Sequence, residues 1–324
     1  MNHIALITDD GYVLPTAVCI QSIINSAKPQ QKYSIHVCTF GLSEDNVKLL
    51  TGLETEKVSI LIDKFCKADY QQMLDLISQK SHVTPTALIK FELPQHFTDV
   101  DKLLYLDSDI IIKKDLSELF SLDLENFYLA ASFEYWVRYN DIRFKPWNVK
   151  REEFYFNSGL MLLNLKKFRD DAITEKLWDY KINHTKTKLM DQECLNSVCG
   201  QQTLPLSIKW NFNPVFLKTK HLKTINEVYS ESYSNLKELE DNVAVIHYVG
   251  KFDKPWVYSS AQMREYWQEA FEGIHSGIDL QLQQYVPPKT SRIKRISNMI
   301  SEYGVVSTGA YICYLTKWKV RRKQ

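Results

Sequence analysis

Lys102-Leu103-Leu104-Tyr105-Leu106-Asp107-Ser108-Asp109-Ile110-Ile111-Ile112 is the stretch around which the chain is organised. A run with the composition of a buried strand meets two acids spaced i and i+2, and an apolar run resumes at once. In extended backbone, side chains two apart point to the same side, so the carboxylates of Asp107 and Asp109 are expected together. Two carboxylates in apolar surroundings repel and push one towards protonation. A divalent cation removes that conflict and can bridge to phosphate oxygens. An exposed turn between strands could also carry acids, but apolar flanks on both sides favour the metal.

Outward from this segment, strand and helix patterns alternate. His3 to Thr8, Tyr33 to Thr39 and Val58 to Ile62 read as buried strands. Val13 to Asn25 reads as a helix with Cys19, Ile20, Ile23 and Ile24 on its apolar face, and Ser43 can cap a helix running to Leu53. Thr84-Pro85 is a cap followed by proline at the first helical position. Further on, Gly159 to Asn164 and Val243 to Ile246 read as strands and Ala172 to His184 as a helix. Alternation of this kind predicts an α/β fold with a largely parallel sheet buried on both faces.

Open parallel sheets bind ligands beyond the carboxyl ends of their strands. Asp9 and Asp10 follow the first strand, Asp107 and Asp109 follow Leu106, and His247 follows Ile246, so metal-binding residue types gather at one edge. Mixed oxygen and nitrogen ligation suits Mn²⁺ better than Mg²⁺, though Mg²⁺ is possible. No G-x-G-x-x-G follows the first strand and no G-x-x-x-x-G-K-[ST] occurs, so a glycine-rich loop does not hold phosphate here.

Charge is unevenly spread. The 324 residues carry a net charge of +1, but Lys289 to Gln324 contains nine Lys and Arg against a single acid, Glu302. The mildly acidic body excludes nucleic acid as a partner. In the tail, Ile293, Ile296, Met299, Ile300 and Tyr303 recur at helical spacing beside Arg292, Lys294 and Arg295, and Trp318 lies among Lys317, Lys319, Arg321, Arg322 and Lys323. That is the composition of an interfacial anchor for an anionic membrane, since the uncharged stretch Tyr303 to Thr316 is too short to span a bilayer. The expected division is a catalytic domain over residues 1–275 and a membrane-associating region over 276–324. The six cysteines form no C-x-x-C pair and sit mostly in apolar runs, and Met1-Asn2-His3 leads directly into a strand; reduced thiols and a cytoplasmic location, peripherally attached to the inner membrane, are the expectation.

Four motifs in series make a resemblance specific. Tyr105-Leu106-Asp107-Ser108-Asp109, Phe156-Asn157-Ser158-Gly159-Leu160-Met161-Leu162-Leu163-Asn164, Asp191-Gln192-Glu193-Cys194-Leu195-Asn196, and His247-Tyr248-Val249-Gly250 with Lys254-Pro255-Trp256 resemble, in that order, the motif series of glycosyltransferase family 8. The likeness runs from Ile4 to Trp267 and is greatest to bacterial lipopolysaccharide galactosyl- and glucosyltransferases. It implies a GT-A fold (a Rossmann-like, mostly parallel central sheet flanked by helices), a UDP-sugar donor, Mn²⁺, and retention of anomeric configuration. By matching position, Asp107, Asp109 and His247 are the implied metal ligands. Thr8, Asp9, Gly11 and Tyr12 match the uridine-binding turn, with Tyr12 against uracil, and Ser108 stands between the two acids. Lys254 matches the lysine on the diphosphate, and Asn157, Asp191 and Gln192 match residues around the donor sugar. Glu134 stands where the family carries an acid, usually Asp. His82, Val83, Thr86 and Gly250 fall where acceptor contacts are expected.

The chain departs from the family at Lys90, in Leu88-Ile89-Lys90, where the usual pattern is Tyr-x-Arg. Lysine keeps the charge but loses the planar fork. The resemblance implies transfer of galactose or glucose from UDP to a sugar hydroxyl of a lipopolysaccharide or lipooligosaccharide-type acceptor, a glycolipid or oligosaccharide. The alternative is a UDP-glucose-dependent enzyme building another bacterial surface glycan or a glycoprotein. A nucleotidyltransferase would need a glycine-rich basic loop where this chain has acidic Asp9-Asp10-Gly11-Tyr12, and the complete metal set argues against a non-catalytic UDP-sugar binder.

Overall fold

A computed structural model of the chain describes residues 1–71, 85–135, 155–184, 190–219, 222–250, 254–258 and 261–274. Its centre is a seven-stranded sheet. The strands are β1 (Asn2–Ile7), β2 (Tyr33–Thr39), β3 (Val58–Lys64), β4 (Lys102–Leu106), β6 (Leu129–Phe133), β7 (Phe156–Asn164) and β8 (Thr203–Leu206), in the order β3-β2-β1-β4-β7-β6-β8. A two-stranded sheet pairs β5 (Ile110–Ile112) with β9 (Val245–His247). β3, β2, β1 and β4 are parallel, as are β6 and β8, while β7 lies antiparallel between β4 and β6. The mixed, mostly parallel α/β sheet flanked by helices agrees with the fold class expected.

Alternation along each strand buries both faces. Ile4 and Leu6 of β1, Leu104 and Leu106 of β4, and Leu160 and Leu162 of β7 join one apolar cluster. Ala5, Leu103, Tyr105, Met161 and Leu163 join another on the opposite face. The first face is covered by α1 (Val13–Ser26), whose Ala17, Val18 and Ile20 are fully buried, and by the later helix Arg264–Glu272 packed on α1. Ser43 does cap α2 (Glu44–Thr51), accepting from the Asn46 amide at 3.4 Å. The second face is covered by α3 (Ile89–His96), α4 (Leu165–Asp170), α5 (Ile173–Asn183) and α6 (Met190–Cys199).

Several local expectations differ from what is found. Asp107, Ser108 and Asp109 do not continue β4; the chain turns there before β5, so the carboxylates converge through a turn and not by strand alternation. β9 begins at Val245, two residues later than expected, and ends at His247. The helix expected from Ala172 begins one residue later, because Ala172 is left-handed (φ 52°) between α4 and α5. β6 and β8 have no strand signature in the sequence. Leu-Ala-Ala-Ser-Phe lacks β-branched residues, and β8 carries Pro205, which is tolerated at a sheet edge. The cap at Thr84 and the whole of 276–324, with its amphipathic and basic segments, lie outside the described residues. Within those residues, no helix is long and apolar enough to cross a membrane. Cys19, Cys38, Cys66, Cys194 and Cys199 are free thiols, all buried except Cys66.

Candidate active site

The edge at which β1, β4 and β6 end is also where antiparallel β7 begins, and the strand order reverses between β1 and β4. Carboxyl ends and a topological switch point coincide there, the position at which such sheets bind ligands. A cavity of about 260 Å³ opens at this edge, lined by Lys90, Asp107, Asp109, Asn157, Asp191, Gln192, His247 and Gly250, together with Ala87, Ser158, Gly159 and Val249.

Asp107, Asp109 and His247 form a cluster whose potential ligand atoms lie within 4.8 Å of one another. β5 and β9 produce it by pairing Ile110 with His247, which brings the imidazole over the turn holding both acids. Each of the three has one atom held by protein and another directed inward. On Asp107, Oδ1 accepts from the Tyr105 hydroxyl at 2.6 Å and faces Lys90 Nζ at 3.2 Å, while Oδ2 lies 3.7 Å from His247 Nε2. On Asp109, Oδ2 is paired with Lys254, while buried Oδ1 has no hydrogen-bond donor and stands 3.2 Å from His247 Nε2. His247 Nδ1 is 2.8 Å from Asn211 Oδ1, so Nδ1 donates there, and in the neutral ring Nε2 then presents a lone pair. Lone-pair atoms this close need positive charge between them, and a divalent cation fits both the charge and the donor set. Burial disfavours charge on Asp109, but the Lys254 ammonium, joined by His247 when that ring is protonated, outweighs it and holds the carboxyl well below the usual range.

Space for the imidazole depends on Gly159. A Cβ there would lie 2.1 Å from His247 Cε1 and 2.9 Å from Asp107 Oδ2. Its backbone cannot retreat easily, because the Asp107 amide donates to the Gly159 carbonyl at 2.7 Å.

The opposite wall is built around Lys90. Its ammonium donates to Asp191 Oδ2 at 2.6 Å, lies over the Tyr105 ring at 4.5 Å, and is buried. Burial disfavours its charge, but Asp107 and Asp191 more than compensate and raise its pKa above the ordinary lysine value. Asp191 Oδ2 also accepts from Ser158 Oγ at 3.1 Å, and Gln192 Oε1 accepts from the Ser158 amide at 3.1 Å. Asn157 donates to Glu134 at 2.8 Å. Asp191 and Gln192 sit in the first turn of α6, clamped to β7 by Asn196, which accepts from the Phe156 amide and donates to its carbonyl.

Thr8, Asp9, Gly11 and Tyr12 occupy the turn after β1. Thr8 is buried, and a hydroxyl cluster ties it to the acidic turn: Thr16 Oγ1 lies 2.8 Å from Thr8 Oγ1 and from the Tyr12 carbonyl, and 2.9 Å from Ser108 Oγ. Ser108 in turn donates to the Ile7 carbonyl. Tyr12 is exposed and meets the edge of Trp256, whose ring also lies under Lys254 Nζ. Gly250 has φ +93°, which glycine adopts without strain, and it closes the turn after β9.

The structure therefore brings Lys90, Asp107, Asp109, Asn157, Asp191, Gln192, His247 and Gly250 around one cavity, with Lys254 and Glu134 behind it on Asp109 and Asn157 and the Thr8–Tyr12 turn tied to it through Ser108. Thr86 is half-buried in the 3₁₀ turn Pro85–Leu88 and does not line the cavity, although its neighbour Ala87 does. His82 and Val83 lie outside the described residues. Sequence reasoning gives no sign of Asn211, Tyr105 as a carboxylate donor, or Thr16. Asn211 and Thr16 matter through partners distant in sequence and belong to no quoted motif, while Tyr105 opens a quoted motif but shows its bond to Asp107 only in three dimensions. Gly159 stands within a quoted motif, but its crowding by His247 appears only in three dimensions.

Residues 3–260 match the model for glycosyl transferase family 8. The chain belongs to this family. Among its curated relatives, the family 8 chain is 28% identical to General stress protein A of Bacillus subtilis over 260 residues, 78% of this chain and 87% of that protein. It is 28% identical over 258 residues to a lipopolysaccharide 1,2-glucosyltransferase of Escherichia coli, covering 76% of this chain and 71% of the relative. In structure it resembles the galactosyltransferase LgtC, solved with donor and acceptor sugar analogs, at a TM-score of 0.70 and 23% identity over 88% of this chain and 100% of that one. That likeness bears on the fold, which is the GT-A arrangement expected. The chain is thus a glycosyltransferase whose Asp107, Asp109 and His247 make a possible metal site.

Proposed function

We propose that this glycosyltransferase moves galactose or glucose from a UDP-sugar to a sugar hydroxyl of a lipopolysaccharide or lipooligosaccharide-type acceptor, with retention of configuration and with Mn²⁺ held by Asp107, Asp109 and His247. The observation that carries this reading is the inward set of Asp107 Oδ2, Asp109 Oδ1 and His247 Nε2, with Lys254 beside it. When bound, the cation supplies Lewis acidity to the departing diphosphate. Lys254, now paired with Asp109, adds a second positive group to the leaving UDP, and Tyr12 offers an exposed ring to the base. Asn157, Asp191 and Gln192 orient the sugar, and Glu134 fixes the Asn157 amide. The Gln192 carbonyl oxygen is already committed to the Ser158 amide, which supports front-face attack by the acceptor over a covalent intermediate on this residue. The acceptor proton then leaves with the departing phosphate. Release of UDP from UDP-galactose and UDP-glucose, each with and without Mn²⁺, tests the reading: Mn²⁺-dependent release from one of them is expected, and none from either would overturn it.

Lys90 separates binding from positioning. Lys90→Ala should raise the donor KM or lower kcat, and removing a buried ion-pair partner should also cost ~3–5 kcal/mol of stability. Lys90→Arg should retain most activity, because its fork can reach both Asp107 and Asp191. Steady-state kinetics and thermal melts check both, and an alanine variant with wild-type kinetics would remove Lys90 from the site.

The tail is proposed to hold the enzyme on the cytoplasmic face of the inner membrane, where a glycolipid acceptor would lie. Each basic residue near an anionic surface contributes ~1 kcal/mol, so the nine counted between Lys289 and Gln324 can act together. Protein ending near Val286 should stay in the supernatant with anionic liposomes while the full chain sediments. Equal sedimentation of the two would show that the tail is not the anchor.

A further inference from the structure

We infer that Asn211 is a positioning residue that fixes both the lone pair His247 offers to a metal and the amide Asn157 offers to the sugar side of the cavity. The inference rests on the proposed metal-dependent transfer and concerns a residue outside every quoted motif.

The segment Lys209 to Phe212, which follows β8, is laid beside β9 by backbone bonds. The Ala244 amide donates to the Lys209 carbonyl, the Phe212 amide to Val245, and the His247 amide to Phe212, at 2.8, 3.0 and 2.9 Å. Asn211 is thereby placed next to the imidazole, and it is buried. From there a directional chain can be followed through side chains alone. Glu134 Oε2 can only accept, so Asn157 turns its Nδ2 towards it, at 2.8 Å. Asn157 Oδ1 then faces the other way and accepts from the Gly159 amide and from Asn211 Nδ2, each at 3.0 Å. With its amino group so engaged, Asn211 presents Oδ1 to His247 Nδ1 at 2.8 Å. An acceptor at Nδ1 keeps the proton there and leaves the Nε2 lone pair directed at Asp107 and Asp109. The carboxylate of Glu134 thus sets the tautomer of His247 through two amides.

The arrangement predicts different failures for two substitutions. Asn211→Leu removes both contacts. His247 loses its acceptor, and the affinity for Mn²⁺, read as free Mn²⁺ by electron paramagnetic resonance, should fall about 10- to 100-fold. Asn211→Asp keeps an acceptor for His247 but sets a carboxylate oxygen against Asn157 Oδ1. Asn157 cannot rotate away without turning its oxygen towards Glu134 and abandoning the Gly159 amide. Asn211→Asp should therefore bind Mn²⁺ at least as tightly as wild type yet transfer sugar with a lower kcat at saturating Mn²⁺. A residue serving packing alone would not split the two readouts in this way.

Wild-type Mn²⁺ affinity in Asn211→Leu would overturn the inference and leave the proposed function standing. The split in Mn²⁺ affinity without any UDP-sugar turnover in wild type would do the reverse. Should Asn211→Leu fail to fold, Asn211→Asp decides: wild-type kcat, or a loss of Mn²⁺ affinity, overturns the inference.

Discussion

Asp109→Asn is expected to lower sugar transfer by ~10²-fold or more, the scale of losing one preorganised electrostatic group. The reason is specific to the two oxygens. Oδ2 holds Lys254, and buried Oδ1 faces His247 without a hydrogen-bond donor. The asparagine amide would weaken the pairing with Lys254 and withdraw the negative charge that the cation needs. Asp107→Asn and His247→Ala should fall on the same scale. For wild type, EDTA should abolish transfer and added Mn²⁺ restore it. Full activity in EDTA would dismiss the metal, and full activity of Asp109→Asn would dismiss this ligand set.

Gly159→Ala should be nearly as damaging although it adds a single methyl group. That methyl would sit 2.1 Å from His247 Cε1, closer than two non-bonded carbons can stand. β7 is held to β4 on one side and β6 on the other, so the imidazole has to move instead. Its Nε2 then leaves Asp109, and Mn²⁺ affinity should drop about 10- to 100-fold with activity falling in parallel. A cycle with His247→Ala separates this cause from general damage to the strand. Once the ring is gone the severe clash is removed and only the 2.9 Å contact with Asp107 Oδ2 remains, so the double variant should lose little more Mn²⁺ affinity than His247→Ala alone. Additive losses would place the fault in β7 itself.

The parallel half of the sheet was legible because β1, β2, β3 and β4 are apolar runs separated by helix patterns and turn signals. β6 and β8 were not, since a five-residue run with three small residues at its centre and an edge strand with Pro205 carry little periodicity. At the site, Asp107, Asp109 and His247 could be found from residue type and position after strands, and the four motifs placed Asn157, Asp191, Gln192 and Lys254. Expecting the two acids to share a side was right for the wrong reason, because a turn brings them together. Asn211 and Thr16 act across separations of 36 and 92 residues, to His247 and Ser108, and spacing along the chain cannot reveal such partnerships.

The hydroxyl cluster at Thr16 has a mechanical consequence. Thr16 has one proton and three oxygens within reach: those of Thr8, Ser108 and the Tyr12 carbonyl. That proton serves one of them at a time, and the Thr16 oxygen can accept from a hydroxyl but not from the carbonyl, so the start of α1 is stitched to both the turn after β1 and the turn after β4. Those two turns are where the proposed donor's base and its diphosphate would rest. They resemble the jaws of a caliper joined by one rivet: contacts within the protein link the two turns, so a shift of one is passed to the other.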